Sequence, residues 1–170
     1  MYDPAAVQPM RDELTATGFE ELLTSEAVDQ TLSAQNNETI LLVVNSVCGC
    51  AAGSARPGVT LALQHHTIPD RFVTVFAGQD RAAVEHVRGK YLADFPPSSP
   101  SMALFKNGKA IYVMHRREIE GRPEGMIANT LAKVFEQHCT RKGPAISPEA
   151  YAQLTHALAC GSTIPRYAGN

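Results

Sequence analysis

Five consecutive apolar residues, at positions 40 to 44 within "TILLVVNSV" (39 to 47), constrain this chain more than any other feature. A strand with one face in water alternates apolar and polar side chains, whereas an unbroken apolar run of this length fits a strand buried on both faces, as parallel strands are. The run therefore predicts a central strand in a sheet covered on both sides. Directly after it come Cys48, Gly49 and Cys50, and then the small-residue segment "AAGSARPG", which can open a helix. Two thiols are thus expected at the carboxyl end of a parallel strand, where open α/β sheets gather reactive groups.

The rest of the chain supplies partners for that strand. Helical spacing marks two short N-terminal helices, with Met10 and Leu14 on one face of the first and Val28 and Leu32 on one face of the second. Thr24 or Ser25 caps the second, and Glu26 falls in its first turn. Residues 51 to 64 predict a helix in which Pro57 removes one backbone donor, with a kink near Gly53. A second strand is expected at 71 to 78, followed by a helix that Asp80 caps and that carries Ala83, Val84, Val87 and Tyr91. "FPPSSPSMALFKNGKAIYVMH" then gives a proline-rich loop and two apolar runs around Asn107 and Gly108, a pair suited to a type I′ hairpin turn. Pro123 opens a last helix whose Ile127, Leu131, Val134 and Phe135 form one stripe up to Cys139. These elements define an α/β fold: a parallel βαβ unit and an antiparallel hairpin in one mixed sheet flanked by helices. Residues 1 to 140 are read as one domain. Residues 141 to 170 are read as a C-terminal extension that opens on a Gly-Pro break, holds an amphipathic helix around 148 to 159 and ends in polar, mobile residues.

A chain of 170 residues buries a core without disulfide staples. Its net charge of −2 arises from 15 basic and 17 acidic residues with no basic stripe, which argues against nucleic acid or an anionic membrane as partner. No apolar run approaches the roughly 20 residues of a membrane span, and the first residues lack the layout of a signal peptide. The expectation is a cytoplasmic protein that meets other proteins or small molecules. In a reducing compartment, closely spaced cysteines serve redox or metal chemistry more often than they form a framework.

At the start of a helix, free N–H groups and the helix dipole favour a thiolate. Glycine between the cysteines lets a very small disulfide ring close, and strain in such a ring makes the pair a ready exchange partner. On this reading Cys48 attacks and Cys50 resolves. Two alternatives stand beside it: a metal clamp in which Cys48 and Cys50 are thiolate ligands and His65, His66 or Cys139 complete the site, and a pair of idle core thiols. Elsewhere, His115, Arg116 and Arg117 read as solvated charges at the end of the hairpin that can face an anionic small thiol. Cys139 reads as a core residue. Cys160 reads as an inert thiol of the tail, with an additional resolving role as the other reading.

Taken together, "QPMRDELTATGFEEL", "VVNSVCGCAAGSARP", "VTVFAGQD", "PPSSPSMALFKNGK" and "REIEG" resemble the bacilliredoxin family of thioredoxin-fold proteins, over about Val7 to Cys139. The resemblance implies a thioredoxin-like sheet with Ser99 and a cis Pro100 beside the cysteines. It also implies reduction or isomerisation of mixed disulfides between protein thiols and bacillithiol through Cys48, Gly49 and Cys50, without a metal or organic cofactor. The implied partners are protein mixed disulfides and a low-molecular-weight thiol.

Overall fold

Why the apolar run becomes the middle of the molecule is visible in its neighbours. The computed structural model describes residues 1 to 161 and 163 to 167. Residues 40 to 44 lie within a strand, β2 (Thr39–Asn45), that is buried along its whole length. β2 sits third in a five-stranded sheet whose other members are β1 (Glu20–Glu21), β4 (Arg71–Phe76), β5 (Ser101–Lys106) and β6 (Lys109–Met114), in the order β1-β4-β2-β5-β6. β4 runs parallel to β2, with Ile40 opposite Arg71 and Asn45 opposite Phe76. β5 runs antiparallel to it, with Val44 opposite Ser101. β3 (Thr67–Ile68) and β7 (Arg141–Lys142) form a separate two-stranded sheet. This is the mixed sheet that the pattern of elements predicted, of the thioredoxin-like kind that the resemblance implied.

Helices α1 (Pro4–Thr15) and α2 (Ser25–Leu32) precede β2, α3 (Arg56–Ala62) follows it and α4 (Arg81–His86) follows β4. After the hairpin come α5 (Arg116–Ile119), α6 (Glu124–His138) and α7 (Pro148–Ala152). Alternate residues of β2 face two cores. Leu41 and Val43 pack under α3 and α6 with Val59, Leu63, Leu131 and Phe135. Ile40, Leu42 and Val44 pack under α2 and α4 with Val28, Leu32 and Val84. Thr24 caps α2 by accepting from Ala27 N at 3.1 Å. The hairpin turn has positive φ at both Asn107 (49°) and Gly108 (78°), the requirement of a type I′ turn, which asparagine tolerates and glycine, lacking a Cβ, adopts freely.

Pro57 acts as expected, in a specific way. Residues Ala51–Ala55 wind as a π-helical turn, with Arg56 N donating to Ala51 O, before α3 begins. The wider turn absorbs the donor that proline lacks. α3 and α6 then cross so closely that a Cβ on Gly58 would lie 2.7 Å from Cβ and Cγ2 of Ile127. Gly58→Ala is expected to lower stability by about 1–3 kcal/mol through overpacking, which exceeds the roughly 1 kcal/mol that alanine gains in a helix. Thermal unfolding checks this, with Gly53→Ala as the control, since a Cβ there meets nothing within 4 Å.

Three expectations are corrected. Asp80 stands at the start of α4 but makes no capping bond; its carboxylate accepts from Phe76 N at 2.9 Å and from both terminal nitrogens of Arg11 at 2.7 and 3.1 Å. A guanidinium outcompetes a turn of backbone for a carboxylate. The amphipathic helix expected at 148 to 159 is only Pro148–Ala152. Beyond it, Ala157 gives its N–H to Glu13 Oε2 at 3.1 Å and its carbonyl to Arg56 Nη2 at 2.7 Å, so its backbone is engaged elsewhere. Nor is the described tail a loose appendage: Ala157 and Ile164 are buried with Val7, Met10, Val47 and Phe76, and Asp3 N donates to Pro165 O at 3.0 Å. The expectation for residues 162 and 168 to 170 lies outside the described residues.

Candidate active site

β2 ends at Asn45, and the chain then turns through Ser46 and Val47 to place Cys48 and Cys50 immediately before the π-helical turn. Both cysteines are half-buried, and Gly49 between them is exposed. Ala51 N donates to Cys48 Sγ at 3.3 Å, and Cys48 N donates to Ser46 Oγ at 3.3 Å. Burial pushes the Cys48 thiol up, but hydrogen bonds from Cys50, Ser46 and Ala51 N and the charge of Arg116 outweigh it, so its pKa lies below the ordinary value. Cys50 moves the other way. Burial, together with the hydrogen bond it gives to Cys48 and the charge there, pushes it up to about 11. The two thiols are therefore unequal, one poised to ionise and the other holding its proton.

Gly49 has a second aspect. A Cβ there would meet nothing within 4 Å, so the dithiol form has room for a side chain and does not itself demand glycine.

The antiparallel register that sets Val44 opposite Ser101 carries Pro100 and Ser99 alongside the segment leading to Cys48. The Ser99–Pro100 peptide bond is cis, and Pro100 is buried. His115, Arg116 and Arg117 are not at the end of a strand. They form the cap and first turn of α5, because Glu118 reaches back to His115 N at 2.8 Å and closes a capping box. With Pro96, Pro97 and Ser98 they line an open cleft of about 290 Å³, and Arg116 is the cation whose charge reaches both thiols.

The residues proposed to complete a metal clamp are elsewhere. Cys139 is buried near Thr39, at the opposite end of β2, about 20 Å of strand from Cys48. His65 and His66 follow α3 and face Glu136, with donor atoms within 4.8 Å of one another; this is the one such group of three among the described residues. Neither histidine belongs to the cysteine site.

What sequence reasoning missed is beneath the thiols. Arg56 has no exposed surface, yet its guanidinium makes four bonds: Nε to Glu13 Oε2 at 2.8 Å, Nη1 to Asn45 Oδ1 at 3.2 Å and to Ser46 O at 3.0 Å, and Nη2 to Ala157 O. Glu13 is also buried, and His156 Nδ1 lies 2.7 Å from its Oε1. This network pins the Asn45–Ser46 turn on which Cys48 stands. An arginine among the small residues of "AAGSARPG" was the available signal, since a charge in so apolar a setting needs a buried partner.

The mixed sheet, with two cysteines just beyond its central strand and a cis proline just before the neighbouring antiparallel strand, makes this a thioredoxin-like protein. A family model described as disulphide isomerase matches residues 2–139. A bacilliredoxin of Salinibacter ruber is 50% identical over 143 residues, which covers 84% of this chain and 83% of that one. One from Halalkalibacterium halodurans is 49% identical over 138 residues, 81% of this chain and 94% of that one. One from Staphylococcus haemolyticus is 43% identical over 142 residues, 84% and 96% of the two chains. The chain belongs to the bacilliredoxin family.

Proposed function

We propose that this protein removes low-molecular-weight thiols of the bacillithiol type from protein cysteines, in the cytoplasm, with Cys48 as the attacking thiolate and Cys50 as its partner. Family membership supports the broader class, thiol–disulfide oxidoreductase. The observation that carries the assignment of roles to Cys48 and Cys50 is the inequality of the two thiols, Cys48 lowered and Cys50 raised. The Cys48 thiolate attacks the disulfide of a modified client, the client sulfur leaves as a thiolate and takes up a proton, and Cys48 holds the small thiol. No metal or organic cofactor enters. On this reading Ser99 and Pro100, which directly precede the strand paired with β2, flank the loop, and the space around Gly49, where a Cβ would meet nothing within 4 Å, admits a client cysteine. Arg116, with His115 and Arg117, gives the cleft beside Ser98 an excess of cationic groups over its one carboxylate, Glu120, which pairs with Arg116 at 3.2 Å, and that balance suits an anionic small thiol.

The test uses a model protein carrying a bacillithiol or a glutathione adduct, and a Cys50→Ser/Cys160→Ser variant that retains Cys48. Intact mass and peptide mapping are expected to find the adduct transferred to Cys48, faster from bacillithiol than from glutathione. Arg116→Gln should narrow that preference by about tenfold, the worth of one hydrogen bond to a charged group. Absence of any adduct on Cys48 with either donor would sink the reading.

A further inference from the structure

The tail brings another sulfur to the site. Gly161 N donates to Val47 O at 2.7 Å, and these two residues are the direct neighbours of Cys160 and Cys48. Both peptide bonds are trans, so the Cα of residue 160 lies on the same side as the donated N–H. By the same geometry the Cα of residue 48 lies on the side of the accepting carbonyl. Standard bond lengths then hold the Cα atoms of Cys48 and Cys160 within about 7 Å of each other, the range in which disulfides close.

This approach is built, not incidental. On one side the tail is clamped at Ala157 by Glu13 and Arg56, and on the other Pro165 O accepts from Asp3 N. Between these anchors, a Cβ on Gly161 would come within 2.8 Å of Val47 Cγ2, so glycine is what lets the segment lie flat against the residue before Cys48. Ala157, Ile164 and Val47 share one buried apolar cluster. Cys160 is half-buried on this strap.

Building on the proposed role of Cys48, we propose that Cys160 is a second resolving thiol, which closes a disulfide with Cys48 after adduct transfer. The Cys160 thiolate attacks the Cys48 sulfur of the mixed disulfide; the Cys48–Cys160 bond forms, the bond from Cys48 to the small thiol breaks, and that thiol leaves with the electron pair and is protonated by solvent. Two equivalents of low-molecular-weight thiol restore the enzyme. The first opens Cys48–Cys160 to a new mixed disulfide, and the second releases the small thiol as its own disulfide.

Wild type, Cys50→Ser, Cys160→Ser and Cys50→Ser/Cys160→Ser are each exposed to bacillithiol disulfide and to glutathione disulfide, and followed by intact mass and non-reducing peptide mapping. Circular dichroism melts verify that the serine variants are folded. Cys50→Ser is expected to lose its adduct, together with two hydrogens, and to yield a Cys48–Cys160 cross-linked peptide, at least about ten times faster than the double variant discharges. If Cys50→Ser holds the adduct as long as the double variant does, Cys160 does not resolve Cys48 and the inference fails while the role of Cys48 stands. If the double variant takes up no adduct on Cys48, the proposed function fails and this inference falls with it.

Discussion

Cys48→Ser is expected to reduce exchange to the uncatalysed rate, and the pH profile of the wild-type thiols should show why. An ordinary cysteine is only a few per cent thiolate at pH 7. Cys48 lies below that ordinary pKa and Cys50 is held up to about 11, so near neutrality the two should differ by orders of magnitude in ionised fraction. Each unit of lowering raises the thiolate fraction about tenfold and costs roughly threefold in intrinsic nucleophilicity, so ionisation wins. Alkylation followed residue by residue between about pH 5 and pH 10 should give Cys48 a midpoint below that of an ordinary cysteine, with Cys50 nearly inert over the same range. In Cys50→Ala the donor that most lowers Cys48 is gone, and the midpoint should move up. Earlier alkylation of Cys50 than of Cys48 would reverse the assignment.

The second large effect concerns the buried arginine. Arg56→Met is expected to destabilise the protein by about 3–5 kcal/mol, because it leaves the buried Glu13 carboxylate without the guanidinium that pairs with it and takes the Arg56 donor from the carbonyls of Ser46 and Ala157. For a chain of this size that corresponds to a melting temperature lower by about 10 °C. The paired change Glu13→Gln/Arg56→Met should recover much of the loss, since an ion pair removed whole costs less than one cut in half. Equal melting points for the single variant and wild type would mean that the network contributes nothing. Cys48 alkylation adds a readout of position: with the Asn45–Ser46 turn released, the lowered pKa of Cys48 should be partly lost even where Arg56→Met remains folded.

Much of this architecture was legible because its signals are local. An apolar run without alternation specified the central strand, Asn107 and Gly108 specified the hairpin, and spacings of three and four in Ile127, Leu131, Val134 and Phe135 specified the last helix. The position of the cysteine pair after β2 followed from the same pattern. What escaped was non-local. β1, β3 and β7 are each two residues long, too short for any periodicity. The partners of Arg56 and Glu13 include groups 101 and 143 residues away in sequence, a separation over which composition carries no information. The tail was misread for the same reason: beyond its short helix the backbone of Ala157 is bonded to distant side chains, and nothing near it in sequence announces them.

Those same separations impose an order on the making of the protein. Chains emerge from the ribosome at about 5–20 residues per second, so the 101 residues between Arg56 and Ala157 amount to roughly 5 to 20 s of synthesis. Until the tail is made, Arg56 lacks one of its acceptors and no strap can lie across Val47. Chemistry at Cys48 therefore matures late: the residue is among the first third of the chain to be made, and its surroundings are among the last to be finished.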